Sequence, residues 1–171
     1  MKQMKKLIAI AVLFFGVVSL TNAQTKVAHI NTQQLISAMP EMKNAKAEFD
    51  KLQQSLGADI QASVTEYRNK LTQYTNEAPT KTDAENDSRK KELAELEGRI
   101  QEAQTAAQKT AEQKYIDLTK PIQEKALAAI QKVARAQGYA YVLDETPGSG
   151  LLLADGTNLM SAVKKELGIT Q

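Results

Sequence analysis

The chain has 171 residues, with 22 Lys and Arg against 20 Asp and Glu, one His and no Cys. The length allows one ordinary domain or two small ones. The missing Cys excludes a disulfide scaffold, a Cys-ligated zinc site, a thiol nucleophile and lipid attachment through an N-terminal Cys. A Ser-His-Asp arrangement would have to use the single His29.

Residues 1–23 read as a secretory signal peptide. Lys2, Lys5 and Lys6 give a positive start, Leu7 to Leu20 is apolar, and Thr21-Asn22-Ala23 places small residues before a cleavage point. Fourteen apolar residues span about 21 Å as a helix, short of a hydrocarbon core of roughly 30 Å. The mature chain is therefore expected to start at Gln24 and to have no stable membrane insertion. It carries 19 basic and 20 acidic groups, so no global basic field argues for nucleic acid. Leu, Ile, Val and Phe number only 28 in residues 24–171, while Ala and Gln are abundant. A composition low in large apolar residues and rich in Ala, Gln, Lys and Glu points to long thin helices.

Lys26 to Ile30 reads as a strand, and Asn31-Thr32 as the cap of a brief helix from Gln33 to Met39 that Pro40 ends. From Met42 to Tyr74, apolar residues recur every three or four positions, the spacing of a coiled-coil seam. Asn76 to Lys81 breaks that helix. Thr82-Asp83-Ala84-Glu85 is a capping box that starts another, whose seam runs from Leu93 to Val133 and whose end is set by Gly138. The halves fold back as an antiparallel helical hairpin with arms of about 53–57 Å. Pro40 and Pro121 lie at the same level of that hairpin and are the expected hinges, with Pro121 kinking the second helix. The Ala-rich seam predicts arms that bend and fray at the tip.

Tyr139 to Leu143 reads as a second strand and Pro147 to Gly150 as a hairpin turn. Leu151 to Ala154 reads as a short, fully buried strand, and a last helix carries Leu159, Val163 and Leu167 on one face. The fold class is α+β: a long coiled-coil hairpin, residues 40–121, on a small β body built from 24–39 and 122–171. So small a body buries too little alone, and its strand edges invite association. Val27, Ile30, Tyr139, Tyr141, Val142, Leu143, Leu151 and Leu153 are the expected oligomer contacts. Tyr67, Leu71, Tyr74 and Tyr115 are the candidate binding residues on the arms. No catalytic, cofactor-binding or metal-ligating set emerges. His29 reads as a packing or interface residue, and Gly148-Ser149-Gly150 as a turn rather than a phosphate loop. The chain is read as a non-enzyme.

The start Lys26-Val27-Ala28-His29-Ile30-Asn31-Thr32-Gln33, the Pro40-Glu41 opening of the hairpin, Pro121 to Ile130, and Gln137-Gly138-Tyr139-Ala140-Tyr141-Val142-Leu143-Asp144 together resemble the Skp/OmpH family of periplasmic chaperones. The resemblance implies a homotrimer in which β segments form a body and three helical tentacles surround a cavity. It also implies that unfolded outer-membrane β-barrel proteins are held there without ATP. The best-known members are strongly basic, whereas residues 66–92 here carry six basic and six acidic groups. The other function considered is a structural or adaptor coiled coil with one defined envelope partner.

Overall fold

In a computed structural model, residues 25–169 are described; the expected signal peptide lies outside them. The first strand, β1 (Val27–Ile30), leads into a short helix, α1 (Thr32–Ala38). Asn31 caps α1, its side-chain oxygen accepting from the Gln34 N–H at 2.8 Å. The long helix α2 (Pro40–Glu77) begins at Pro40, where a first helical position needs no N–H donor. A single 3₁₀ turn (Ala78–Thr80) then leads to α3 (Asp83–Ala136). The capping box at its start is formed from both sides, with Glu85 N–H on Thr82 Oγ1 and Thr82 N–H on Glu85 Oε2.

Cross-helix ion pairs set how α2 and α3 lie. Glu41 pairs with Lys125, Glu48 with Lys114 at 2.6 Å, Lys70 with Glu92 at 2.5 Å and Glu77 with Arg89 at 2.5 Å. Numbers rise along one helix as they fall along the other, so the two run antiparallel. This register brings Leu52, Leu56 and Ile60 level with Ala111, Ala107 and Ala103. Along α2 the seam residues from Phe49 to Tyr67 are half-buried while most of their neighbours are exposed, as a two-helix contact requires. α3 remains helical across Pro121. The ring removes one donor without ending the helix.

α3 ends at a glycine. Gly138 adopts φ +74°, its N–H bonds the Arg135 carbonyl at 3.1 Å, and Tyr139 N–H bonds that of Ala134 at 2.9 Å. This is a Schellman closure. The chain then forms β2 (Tyr141–Asp144), β3 (Thr157–Asn158) and α4 (Met160–Glu166). The sheet order is β2-β1-β3, and both outer strands are parallel to β1. Parallel neighbours need a crossover, and between β1 and β2 that crossover contains both long helices.

Two expectations change here. Leu151 to Ala154 is not a strand, and Leu152 and Leu153 are 99 % and 72 % exposed. The edge of β1 away from β2 is taken by Thr157 and Asn158, so the third strand of the sheet is this pair and not the apolar run. The Pro147–Gly150 segment still turns, with Ser149 N–H on the Thr146 carbonyl at 2.9 Å. It opens a crossing loop (145–156) between parallel strands and not an antiparallel hairpin.

One face of the sheet is packed. Ala28 and Ile30 of β1 join Leu35 of α1, the Ile122–Ala134 stretch of α3, and Leu159 and Val163 in a continuous core. Val142 and Tyr139 pack against its edge.

Candidate functional surfaces

Strand alternation sends Val27, His29, Tyr141 and Leu143 to the opposite face of the sheet. Tyr141 is 62 % exposed, and Val27 and Leu143 are also open to solvent. With Leu153 of the crossing loop, which lines one recess with Val27 and Leu143, they leave much of this face apolar and wet. The expected oligomer contacts therefore divide. Val27, Tyr141, Leu143 and Leu153 are exposed, Leu151 is half-buried, and Ile30 is buried within its own chain. Val142 and Tyr139 are half-buried against that same core. Ile30, expected at the interface, is instead a core residue of the single chain, in one cluster with Ala28 and Leu35. Sequence periodicity identifies the strands but not which of their faces the helices cover. Leu152, the most exposed large apolar side chain among the described residues, escapes sequence reasoning because Leu151 to Ala154 reads as a buried strand.

His29 is nearly buried, at 7 % exposure. Its Nε2 donates to the Gly156 carbonyl oxygen at 3.0 Å, and its Nδ1 stands 2.6 Å from Glu145 Oε2 in a close contact outside hydrogen-bond alignment. At the end of β2, Asp144 accepts from Thr32 Oγ1 at 2.6 Å and N–H at 3.2 Å, and from Thr146 Oγ1 at 2.7 Å and N–H at 2.9 Å. Burial pushes the Asp144 carboxyl up, but these Thr32 and Thr146 hydrogen bonds prevail and bring it from 3.8 down to about 2.

On the arms, the four candidate contacts are in different states. Tyr115 is 53 % exposed and meets Phe49 edge-on, with ring centroids 5.5 Å apart. The two rings border a cleft of about 500 Å³ with Met42, Ala45 and Leu118 on its walls and Lys43, Lys46 and Asp50 on its rim. Tyr67 is half-buried in the seam, and Leu71 is exposed. Tyr74 is committed: its hydroxyl donates to Glu92 Oε2 at 2.6 Å, and the Arg89 guanidinium carbon stands 4.6 Å from its ring centroid.

The tip is therefore tied by polar contacts. Hydrogen bonding from Lys70, and then from Tyr74, lowers the Glu92 carboxyl. The same bonds to Glu92 raise Lys70 and Tyr74. Glu77 is lowered by Gln73 and Arg89. Asn86 adds a side-chain bond to the Ala78 carbonyl at 3.1 Å. The balanced charge of residues 66–92 is largely spent on contacts inside the chain. No helix among the described residues is long and apolar enough to cross a membrane. Among the same residues, no three His, Cys, Asp or Glu gather as metal ligands would.

The model of a family described as outer membrane protein (OmpH-like) matches residues 26–167. A solved structure is similar in fold: an OmpH-like protein from Caulobacter crescentus CB15, proposed to be an outer membrane chaperone. Its TM-score is 0.74, with 18% sequence identity and 85% of each chain covered. No curated protein matches the sequence.

Proposed function

The chain belongs to the OmpH-like family, and from that premise we propose that it is an ATP-independent holdase chaperone of the periplasm. Residues 24–39 and 122–171 form the assembly body of a homotrimer, and residues 40–121 form tentacles hinged at Pro40 and Pro121. Unfolded outer-membrane β-barrel proteins are held between the tentacles and kept from aggregating. Residues 1–23 direct export and are then removed.

The observation that carries the proposal is the outer face of the sheet, which the crossing loop covers only in part. Parallel sheets are ordinarily covered on both faces, yet Val27, Tyr141 and Leu143 stand open, with the exposed Leu153 of the crossing loop close to Val27 and Leu143. A second and third copy of the same chain supply the missing cover most simply, since closed symmetric assemblies are the rule for soluble oligomers. The arms support client binding in a complementary way. Their ion pairs satisfy charge internally, and the apolar surface left over, centred on Tyr115 and Leu71, is modest at any one point. Several weak apolar contacts presented by three chains retain a client through avidity and release it without an energy source.

The test is light-scattering mass of the purified protein, alone and after a urea-unfolded outer-membrane barrel is diluted into it. A three-chain particle that keeps the barrel soluble in a defined complex is the expected result. Three chains without capture, or capture of one folded partner only, would replace the holdase with an adaptor. A monomer at all concentrations would remove the shared body.

A further inference from the structure

The crossing loop between β2 and β3 is held at its two ends and little in between. Its start is fixed by Glu145 N–H on the Ile30 carbonyl at 3.0 Å and by Ser149 Oγ on the Asp144 carbonyl at 2.6 Å. Its end runs into the two-residue strand β3. Among the described residues, 150–155 make no hydrogen bond to hold the Leu151-Leu152-Leu153 run in place. Residues Gly148 and Gly150, with φ of +90° and +87°, turn the chain at the start of this run.

Both ends of the loop converge on one side chain. Glu145 is the loop's first residue and Gly156 its last, and His29, in the centre of β1, faces the first with Nδ1 and the second with Nε2. Glu145 is itself oriented by Asn158 of β3, whose Nδ2 donates to Oε1 at 2.9 Å. The imidazole lies close to the Gly156 backbone: a Cβ placed there would meet His29 Cδ2 at 3.6 Å. A recess of about 210 Å³ under the loop is lined by Val27, His29, Leu143, Leu151 and Leu153. The loop is thus a strap over the outer sheet face, and His29 is its buckle.

We infer that His29 is the positioning residue of the assembly surface. By holding the Gly156 carbonyl and facing Glu145 it fixes both loop ends, and so presents Leu151 and Leu153 beside Val27 and Leu143 as one preformed apolar face. The inference rests on the assembly proposed above. Its physical content is preorganisation: a loop already held in its bound arrangement loses less conformational freedom when a second copy docks. An aliphatic residue at position 29 would pack equally well in the sheet but would leave the Gly156 end without its side-chain anchor.

The experiment compares wild type, His29→Ala, His29→Gln and Glu145→Ala in three readouts: particle mass against protein concentration, amide exchange within 147–156, and urea unfolding of the helices. For His29→Ala we expect faster exchange confined to the loop and a rise of up to about tenfold in the concentration needed for assembly, the scale of one hydrogen bond. Helical unfolding stays close to wild type. His29→Gln, which can still donate to one oxygen, recovers part of the assembly, and a purely packing role would not respond in that way. Glu145→Ala reaches the same clamp from a surface side chain and decides the case if His29→Ala does not fold. Wild-type loop exchange and assembly in the foldable variants would overturn the inference. So would loosened loops with unchanged assembly. A wild-type chain that never assembles would instead refute the oligomer itself, a result seen before any variant is made.

Discussion

Leu152 offers a perturbation that separates folding from assembly. Its side chain is 99 % exposed in the single chain and that of Leu153 is 72 % exposed, so neither contributes core packing. Full burial of a Leu side chain stabilises by about 2 kcal/mol. Scaled by exposure, covering both in an assembly recovers roughly 3.5 kcal/mol per protomer. Leu152→Ser should then weaken each contact by about 2 kcal/mol, roughly 30-fold, and Leu152→Ser with Leu153→Ser by several hundredfold. The free energy of unfolding of the isolated chain should stay within about 0.5 kcal/mol of wild type, as for other exposed positions. Sedimentation or light scattering over a concentration series measures the first effect, and urea unfolding below the assembly threshold measures the second. Assembly of the double variant at wild-type concentrations would refute this face as the contact. Val142→Asp makes the contrasting control. Val142 packs against its own core, so a carboxylate there should unfold the body and not merely part the copies.

Three further outcomes follow from single groups. Glu92→Gln removes the Lys70 ion pair and weakens the acceptor of the Tyr74 hydroxyl; amide exchange should rise within 70–92 while protection of the 122–134 core holds. Gly138→Ala meets no atom within 4 Å but must keep φ at +74°, so it should cost about 1 kcal/mol in urea unfolding, from backbone strain alone. Asp144 has a carboxyl lowered in the folded state to about 2. Its contribution is fully present above the unfolded value near 4 and is lost as pH falls through about 2, and solvent screening limits it to about 1 kcal/mol. Asp144→Asn should flatten the stability profile across that window, and a profile identical to wild type would show that the Thr32 and Thr146 bonds carry no weight.

The long helices were legible because their signals are local. A seam spaced at three and four residues, a Thr82–Glu85 capping box and a glycine at 138 each act within one or two turns, and the structure shows each of them. The strands were legible only as apolar alternation. Leu151 to Ala154 has the composition of a buried strand, yet the sheet passes it over for Thr157-Asn158, because pairing is settled by which backbone reaches the free edge of β1. The tip shows the same limit. Tyr74 reads as a candidate binding residue, but folding sets Glu92 and Arg89 beside it, one against its hydroxyl and the other over its ring.

By itself the sequence determined the helices, their breaks and caps, the family resemblance and the scarcity of core. These depend on periodicity and on residues close in the chain. Only the tertiary structure decided that both outer strands run parallel to β1, which sheet face is packed and which is bare, and that His29 meets Glu145 and Gly156, residues 116 and 127 positions away. Such contacts depend on how distant segments close around one core. Many sequences with the same local pattern could close differently, so the pattern alone does not choose among them.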